Sequence, residues 1–526
     1  MLPTIGRVGA REILRVSDLT FNSPPVYLPW RARLLLIPST TPRPSLLISS
    51  QSLVTSIPSE SSTMKRTTFP INFTIVGGGL SGLACAIALR RTGYEVIVLE
   101  RDKRIPLGGP YGGCRLTPNT TKVLQQWGLL DEIYKRSSPI LNTVKFYKCG
   151  DNEFLGQHVY TDEMLKECGG GFWTFLSHTD LRGILYNAAV EAGAEVRTGC
   201  LVSSVDPASQ KITLASGETL TGGVIVGADG STGIVRKAIA GRELKRSPDG
   251  YTLFHTTLKA EHIPEVPEIM GGNADDNAVF VRYADGFCVY SYPVNPVGDL
   301  AIHIYAPDDG EDGDWNEQPT IDVSGLISEQ VPWRVQMLAK LASLVPPAIR
   351  VRNFAHEDMD DWVHGASGRV VVVGDAAHPF PEGGLQTIGM LMEDAAVLGK
   401  IFSYLKEENQ IANTLWGFQD IRQTHCRAVR EREARRARFF TLKSGPEQEA
   451  RDAALRDMKA GQWYGADLVL YSLEEPRVLF AYDADEAGAE WWQTWGVLNE
   501  RARHVKSDMD KPVKVGVEVE VEAAIS

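Results

Sequence analysis

The sequence predicts an α/β protein with three parts: a Rossmann-like domain built on a parallel sheet, an inserted and mainly β-sheet domain, and a C-terminal helical segment. Three observations support this prediction. A short apolar strand, a glycine-rich turn and a helix follow one another over residues 72–92. Two more apolar strands, at 224–226 and 370–373, each run into Gly and Asp. Four strand-like segments with partial alternation lie at residues 251–258, 279–283, 287–293 and 300–305.

Composition and charge exclude several classes of protein. The chain has 526 residues, of which 43% are hydrophobic and 23% charged, so a wholly disordered or fibrous chain is excluded. Its formal net charge is -12, which argues against a nucleic-acid partner because phosphate binding needs a basic surface. No uninterrupted apolar stretch reaches the roughly 18 residues that a bilayer span needs, so we expect no stable membrane insertion.

Cysteine usage bears on the compartment. The seven cysteines are widely spaced and form no C-x-x-C pair. This spacing predicts neither a disulfide framework nor a zinc site, and it favours a reducing, cytoplasmic location.

Residues 1–63 differ from the rest of the chain. They contain six arginines, no lysine and only three acidic residues, with many Ser, Thr and Pro residues from position 38 onward. We interpret them as a disordered or artefactual N-terminal extension, since Met64 directly precedes the first strand. The alternative is a mitochondrial transit peptide, which is also rich in Arg and Ser.

Residues 72–101 carry the strongest motif. A buried strand at 73–76 leads into Gly77, Gly79 and Gly82 in G-x-G-x-x-G spacing, followed by a helix over 83–91 and a second strand that ends at Glu100. The first glycine permits the tight turn, the second lets a pyrophosphate approach the backbone, and the third lets helix pack on strand. Glu100 can accept hydrogen bonds from ribose hydroxyls, so the segment predicts a dinucleotide site.

Two later segments add polar groups at strand ends. The strand at 224–226 is followed by Asp229 and Gly230 and by a helix expected from about Ser231. The strand at 370–373 is followed by Asp375, and a helix is expected over 386–399. An acidic residue at the carboxyl end of a strand suits a sugar-like hydroxyl at the mouth of an α/β sheet.

These three motifs, in this order and spacing, resemble the class A flavoprotein monooxygenases of the salicylate-hydroxylase type found in fungal secondary metabolism. The resemblance covers about residues 72–495 and implies an FAD-binding domain of the GR2 type. It implies that the ADP half of FAD is held by Gly77, Gly79, Gly82 and Glu100. It also implies that Asp375 binds the ribityl chain. The D-G motif at Asp229 is associated in that family with both FAD and the nicotinamide cofactor.

Shorter stretches extend the resemblance and also depart from it. Residues 112–124 resemble the family's loop and helix near the isoalloxazine, with Gly113 at an FAD-contacting position. His178 stands where the family usually has an FAD-contacting Arg. The turn that faces the flavin usually reads G-A-N or G-M-N, but here it is Thr387–Ile388–Gly389, with Ile388 at the binding position. Residues 476–486 resemble the family's C-terminal segment.

The resemblance implies a reaction. FAD would be reduced by NADPH or NADH, a transient co-substrate, and O2 would then form a flavin C4a-hydroperoxide that hydroxylates an aromatic or polyketide- or indole-like small molecule. The absence of a second G-x-G-x-x-G in the sequence agrees with transient nicotinamide binding. One alternative is an epoxidase or a dearomatising oxidase of a biosynthetic pathway, because one hydroperoxide serves all three reactions. A second alternative, suggested by the departures at His178 and Thr387, is a non-catalytic FAD-binding protein.

Candidate catalytic residues lie in the predicted sheet. Tyr251 and His255 are four residues apart on one strand and therefore share a face. His255 stands where the family often has an active-site Arg, and a histidine with a near-neutral pKa could act as a base toward a substrate hydroxyl. The alternative is that both are ordinary sheet residues. Arg115 is a candidate for contact with flavin or substrate, and His378 is expected to be structural.

The predicted domain organisation divides the chain at these motifs. The FAD-binding domain is expected over 64–140, 165–246 and 356–425. The substrate domain is expected over 141–164 and 247–355. C-terminal helices are expected over 426–500 and a charged tail over 501–526.

Overall fold

The computed structural model describes residues 69–105, 112–271, 278–315, 319–330, 336–457 and 474–498. The expectations for residues 1–63 and 501–526 therefore lie outside the described residues.

The strands of the described chain are β1 (Asn72–Val76), β2 (Glu95–Leu99), β3 (Gly113–Leu116), β4 (Thr143–Lys148), β5 (Phe154–Val159), β6 (Thr174–Ser177), β7 (Glu195–Arg197), β8 (Val202–Asp206), β9 (Lys211–Leu214), β10 (Thr219–Thr221), β11 (Val224–Gly227), β12 (Arg246–Leu258), β13 (Val279–Ala284), β14 (Phe287–Pro293), β15 (Leu300–Pro307), β16 (Ile349–His356) and β17 (Val370–Val372).

The helices are α1 (Leu80–Thr92), α2 (Pro118–Gln126), α3 (Leu130–Arg136), α4 (Asp162–Glu167), α5 (His178–Glu191), α6 (Ile234–Ala240), α7 (Val323–Gln330), α8 (Gln336–Leu344), α9 (Thr387–Phe402), α10 (Ile411–Phe440), α11 (Pro446–Asp457), α12 (Glu474–Phe480) and α13 (Ala484–Trp491). Short 3-10 turns occupy Ala260–Glu265, Pro267–Met270, Gly374–Ala376 and Glu408–Gln410, and a π turn occupies Trp492–Gly496.

A five-stranded parallel sheet forms the first layer, in the order β17-β11-β1-β2-β7. Its central residues Ile75, Val98 and Val226 are fully buried, because helices cover the sheet and the central strands β1, β2 and β11 are mostly apolar. Helix α1 packs against α5 and α9. The predicted α/β class and the strands at 73–76, 95–99, 224–226 and 370–373 are confirmed.

One helix begins later than the sequence predicts. Helix α6 starts at Ile234 rather than near Ser231, because the Asp229 side chain accepts a hydrogen bond from the Val235 N–H at 3.1 Å and Gly233 is the N-cap residue. The intervening residues form a loop at the carboxyl end of β11.

The second large sheet has seven strands in the order β16-β12-β15-β14-β13-β4-β5. Strands β4 and β5 come from residues 143–159, so the expectation that residues 141–160 join this sheet is confirmed. One face packs on α7 and α8 through Phe254, Ile302, Ile304 and Leu341. The alternate positions of β12 and β15, which include His255 and His303, occupy the opposite face.

Two smaller sheets complete the β structure of the described residues: β10-β9-β8 and the pair β3-β6. The seven cysteines all lie in the described residues and are free thiols. None of the described helices combines the length and the apolar character that crossing a membrane requires.

Three of the predicted domain boundaries fall inside continuous elements. The boundary at 164/165 lies in α4, the boundary at 246/247 lies at the start of β12, and the boundary at 425/426 divides the 30-residue helix α10. The last boundary follows a change in charge along the chain. The buried stripe of α10 nevertheless continues past it through Cys426, Val429 and Ala437, and this burial keeps the helix intact.

Candidate active site

The glycine-rich turn after β1 has the geometry that a dinucleotide requires. Gly77 has φ +106°, a left-handed conformation that a side chain would strain. A Cβ atom on Gly82 would overlap the Gly77 carbonyl oxygen, so α1 approaches β1 this closely only with glycine there. A Cβ atom on Gly79 would meet no atom within 4 Å, and no side chain caps α1. The first N–H groups of α1 therefore remain open to an anion.

Glu100 lies beside this turn at the end of β2. Its Oε2 accepts a hydrogen bond from the Gly78 N–H at 2.7 Å, and its Oε1 accepts one from the Asp102 N–H at 2.8 Å. A carboxylate has about four acceptor positions, so Glu100 can still accept a hydrogen bond from a ribose hydroxyl.

Arg182 was missed by the sequence analysis. Its Nη2 lies 3.2 Å from Glu100 Oε2, and its Nε donates to the Gly78 carbonyl oxygen at 3.1 Å. The available signal was its position one turn after His178 on the same face of α5. Arg182 therefore holds Glu100 and the glycine turn in one arrangement.

Asp229 has a local structural contact in addition to any cofactor role. Its Oδ2 caps α6, whereas its Oδ1 has no hydrogen-bond partner among the described residues. Burial raises the pKa of this carboxyl. In the same helix, the Arg236 guanidinium donates to the carbonyl oxygens of Ala376 at 2.9 Å and Glu357 at 2.6 Å, so α6 also supports the loop that follows β17.

Asp375 follows β17 at the same sheet edge as the glycine turn, because all five strands of this sheet are parallel. Its side chain is exposed to solvent, yet the surrounding protein raises its pKa by desolvation. A carboxyl with both properties sits in a recess. The Asp394 Oδ2 fixes the backbone behind it by accepting the Gly374 N–H at 2.8 Å.

His378 helps to hold this loop in place. Its Nε2 lies 2.6 Å from Asp394 Oδ2. Burial lowers the pKa of His378, but Asp394 and Cys426 together outweigh burial and raise it to about 10. The ring is therefore a buried cation paired with Asp394, in agreement with the structural role expected for it.

A buried ionic network ties α9 to α10 and was not found from the sequence. Arg422 is fully buried, and its Nη1 and Nε donate to Glu393 Oε2 at 2.9 Å and to Asp394 Oδ1 at 2.8 Å. Asn119 of α2 donates to Glu393 Oε1 at 2.7 Å. The available signal was two consecutive acids inside an apolar helix, which need buried cations as partners.

His378, Asp394 and Cys426 have potential metal-ligand atoms within 4.8 Å of one another. The direct 2.6 Å contact between the histidine and the carboxylate is a charge-assisted hydrogen bond and is shorter than two ligands of one ion normally approach. We therefore infer that these three residues stabilise the loop after β17 and do not bind a metal ion.

Gly113 and His178 lie together where β3 pairs with β6. The Gly113 carbonyl accepts a hydrogen bond from the Tyr292 hydroxyl at 2.8 Å, and the His178 N–H donates to the Gly112 carbonyl at 2.6 Å. Burial, reinforced by the charge of Arg182, lowers the pKa of His178 to about 4. A neutral ring at this position cannot supply the positive charge of the arginine that the resemblance implies there.

Helix α9 begins after the loop that follows β17. It begins at Thr387, and its N-cap residue Gln386 makes no capping hydrogen bond with its side chain. Gln386 Nε2 has no partner among the described residues. Ile388 is half-buried in the first helical turn, where the backbone N–H groups have no helical acceptor.

The inner face of the seven-stranded sheet carries a cluster of polar aromatic groups. His255 is directly opposite His303 in the β12–β15 register, and their ring centroids are 4.6 Å apart. Trp315 lies 5.9 Å from His255. Both ring nitrogens of His255 and the hydroxyl of Tyr251 are buried without hydrogen-bond partners among the described residues. Such atoms need a polar partner from a ligand or water.

The expected near-neutral pKa of His255 is wrong. The ring is only 1% exposed, and burial lowers its pKa to about 3. The free enzyme therefore holds a neutral imidazole, which accepts a hydrogen bond but is a weak base. Burial also raises the pKa of Tyr251 well above its usual value, so this hydroxyl stays protonated.

This face lies directly against the loop that follows Asp375. The Tyr305 hydroxyl donates to the Gly383 carbonyl at 2.9 Å. Arg115 Nη2 donates to the carbonyls of Gly383 and, at 2.9 Å, Gly384. The second sheet thus covers the loop between β17 and α9, and Arg115 contacts this loop.

Glu382 lies where the second sheet meets the loop between β17 and α9. The sequence analysis missed it. Its Oε2 accepts a hydrogen bond from Trp315 Nε1 at 2.6 Å, and its own N–H donates to Asn353 Oδ1 at 2.9 Å. Desolvation, with smaller contributions from the Asp375 and Asp314 charges, raises the pKa of Glu382 to about 7 against the opposing hydrogen bond from Trp315. No sequence motif marks this residue, because its environment is assembled from distant segments.

The sheet, the glycine turn and the two acidic strand ends define a dinucleotide-binding flavoprotein. A family model described as "FAD binding domain" matches residues 71–432. The chain belongs to this family, within the class A flavoprotein monooxygenases, and it is an FAD-dependent monooxygenase.

Curated relatives support the assignment. The chain is 28% identical over 403 residues to the FAD-dependent monooxygenase OpS4 of Beauveria bassiana, covering 75% of this chain and 92% of that protein. It is 24% identical to the 3-hydroxybenzoate 6-hydroxylase of Klebsiella oxytoca, covering 77% of this chain and 98% of that protein.

Solved structures share the fold. CtdE in complex with FAD and a substrate has a TM-score of 0.67 at 18% identity, covering 82% of this chain and 100% of that one. HpxO of Klebsiella pneumoniae, complexed with FAD and uric acid, has a TM-score of 0.61 at 21% identity. The match covers 74% of this chain and 93% of that one.

Proposed function

We propose that this enzyme hydroxylates an aromatic or polyketide- or indole-like small molecule, using O2 and either NADPH or NADH. The observation that carries the proposal is the contact between the inner face of the seven-stranded sheet and the loop after Asp375. This contact brings unpaired polar atoms of His255 and Tyr251 to the side of the molecule where Asp375 lies. The name of the relative that acts on 3-hydroxybenzoate supports an aromatic substrate.

We propose that Gly77, Gly79, Gly82 and Glu100 hold the ADP half of FAD and that Asp375 holds its ribityl chain. The open space at Gly79 and the recessed Asp375 carboxyl fit these two parts of the cofactor. We further propose contacts from Gly113, His178, Asp229 and Ile388. The unpaired Oδ1 of Asp229 supports its inclusion, as do the free first-turn N–H groups around Ile388.

The chemistry that FAD supplies when bound is acceptance of two electrons from the nicotinamide and activation of O2. The protein's own groups orient the substrate and exclude water. In this proposal the neutral His255 ring accepts a hydrogen bond from the substrate, and the protonated Tyr251 hydroxyl donates one.

A cytoplasmic location is also part of the proposal. All seven cysteines are free, which fits a reducing compartment.

The test is a turnover experiment under ¹⁸O2 with purified holoenzyme and candidate phenols and indoles. We expect NADPH or NADH oxidation that increases with substrate, together with one labelled oxygen atom in the product. Steady nicotinamide oxidation with unlabelled products from every candidate would contradict a monooxygenase reaction on these substrates.

A further inference from the structure

We propose that Glu382 is a catalytic residue that accepts the proton of a substrate hydroxyl or N–H group, and that the substrate is an uncharged hydrogen-bond donor rather than a carboxylate. This inference rests on the proposed function and deepens it, because it assigns a substrate class to the same site.

Glu382 lies close to both proposed binding regions. The residue lies in the loop between β17 and α9, seven residues after Asp375 in the sequence. Its carboxylate contacts Trp315, which packs beside His255 on the inner face of the sheet. Glu382 therefore lies between the proposed ribityl-binding carboxyl and the proposed substrate-binding face.

Its orientation is fixed by neutral groups. Trp315 donates to Oε2, and Asn353 holds the backbone N–H. The described contacts leave Oε1 as an acceptor for a further donor, and the side chain is half-buried rather than sealed. A donor on a bound substrate can therefore reach it.

The charged groups that act on Glu382 are acidic. Asp375 on its own loop and Asp314 from the segment before Trp315 are acidic, and Tyr251 of β12 is a protonated phenol. Arg236 and His378, which lie against or in this loop, are already held by backbone carbonyls and by Asp394. The third cation at this loop is Arg115. Its guanidinium already donates to Gly383 and Gly384 and lies 5.1 Å from the centroid of the Tyr290 ring. The described groups thus offer no unpaired cation for a substrate carboxylate at Glu382.

The proposed step is a proton transfer without redox change. The O–H or N–H bond of the substrate breaks, its electron pair stays on the substrate, and a new O–H bond forms on Glu382. The resulting substrate anion is richer in electrons and is a better acceptor of an electrophilic oxygen atom. Because the pKa of Glu382 is raised to about 7, both the acceptor and the donor form exist near neutral pH.

The test compares two probes that keep a constant charge between pH 6 and 9: 3-methylphenol, which is neutral, and 3-hydroxybenzoate, which is an anion. Calorimetric titration of the FAD-loaded enzyme gives their dissociation constants across this range. As Glu382 ionises through pH 7, we expect the affinity for 3-methylphenol to rise about fivefold, because a charge-assisted hydrogen bond replaces a neutral one. We expect the affinity for 3-hydroxybenzoate to fall about tenfold or more through like-charge repulsion.

Two variants make the test specific. In Glu382→Gln both affinities should lose their pH dependence, and 3-hydroxybenzoate should bind more tightly at pH 8 than it does to the unmodified enzyme. Glu191→Gln, an exposed position on α5, is the matched control and should follow the unmodified enzyme.

Other outcomes overturn the inference. Equal pH profiles in the unmodified enzyme and Glu382→Gln would remove Glu382 from the site, as would failure of 3-methylphenol to bind at any pH. If these binding results fail while substrate-stimulated nicotinamide oxidation and ¹⁸O incorporation hold, only the role of Glu382 is wrong. A protein that retains no FAD overturns both this inference and the proposed function.

Discussion

Gly374 lies against Ser81: a Cβ atom on Gly374 would be 2.5 Å from the Ser81 Oγ. Ser81 belongs to the first turn of α1, directly after the glycine-rich turn, and Gly374 immediately precedes Asp375. Gly374 also has φ +57°, which favours glycine. The two motifs, almost 300 residues apart in the sequence, are therefore in contact, as binding of one shared cofactor requires.

Two glycine substitutions should separate cofactor binding from folding. Gly79→Ala adds a methyl group into open space at an ordinary φ of -74°, so the apoprotein should keep its thermal stability. Its affinity for FAD should fall about tenfold or more, because the methyl group holds the pyrophosphate away from the backbone and weakens its hydrogen bonds. Fluorescence titration of apoprotein with FAD measures this loss.

Gly82→Ala is the contrasting variant. Its Cβ would overlap the Gly77 carbonyl oxygen, so we expect destabilisation of about 1–3 kcal/mol or more even without FAD. Equal thermal unfolding of both apoproteins would contradict the assigned roles.

Asp394→Asn should destabilise the protein by about 3–5 kcal/mol, because it leaves Arg422 and His378 without their buried carboxylate partner. Urea unfolding at pH 7 measures the change. Asp420→Asn on the neighbouring helix is the control, since its carboxyl is exposed and belongs to no described ion pair.

The same carboxylate predicts a pH dependence. The pKa of Asp394 is lowered to about 2 by His378 and Arg422, against a desolvation that raises it. A lowered folded-state pKa stabilises the protein above the unfolded value near 3.8, and this stabilisation is lost as the pH falls toward 2. The difference in unfolding free energy between the unmodified enzyme and Asp394→Asn should therefore shrink below pH 4. A difference that stays constant down to pH 2 would contradict the ion pair.

Arg115→Gln should loosen the loop at Gly383 and Gly384, since a neutral amide replaces charged hydrogen bonds worth about 1.5–3 kcal/mol each. A loosened loop admits water beside the flavin, so more of the consumed nicotinamide should appear as H2O2 rather than as hydroxylated product. The measurement is the ratio of H2O2 to nicotinamide oxidised, with the exposed Arg438→Gln as control. An unchanged ratio would mean that Arg115 does not control the loop.

The sequence was sufficient for those parts of the fold that depend on local patterns. The G-x-G-x-x-G spacing, the apolar runs and the acids at strand ends identified the parallel sheet and its polar edge, because each of these signals lies within about 30 residues. The same reasoning placed Tyr251 and His255 on one face of a strand.

The rest required the tertiary structure. Glu382, Arg182 and Arg422 owe their roles to partners far away in the chain, and no local pattern encodes those contacts. The pKa of His255 was misjudged for the same reason, since its degree of burial depends on how the second sheet packs on the loop.

The measurement that tests the central claim most directly is an experimental structure of the holoprotein with FAD. We predict one FAD per chain, in continuous density, with its adenosine ribose at Glu100, its pyrophosphate at Gly79 and its ribityl chain at Asp375. Density that places Glu100 and Asp375 in two separate recesses, with no single ligand reaching both, would contradict it.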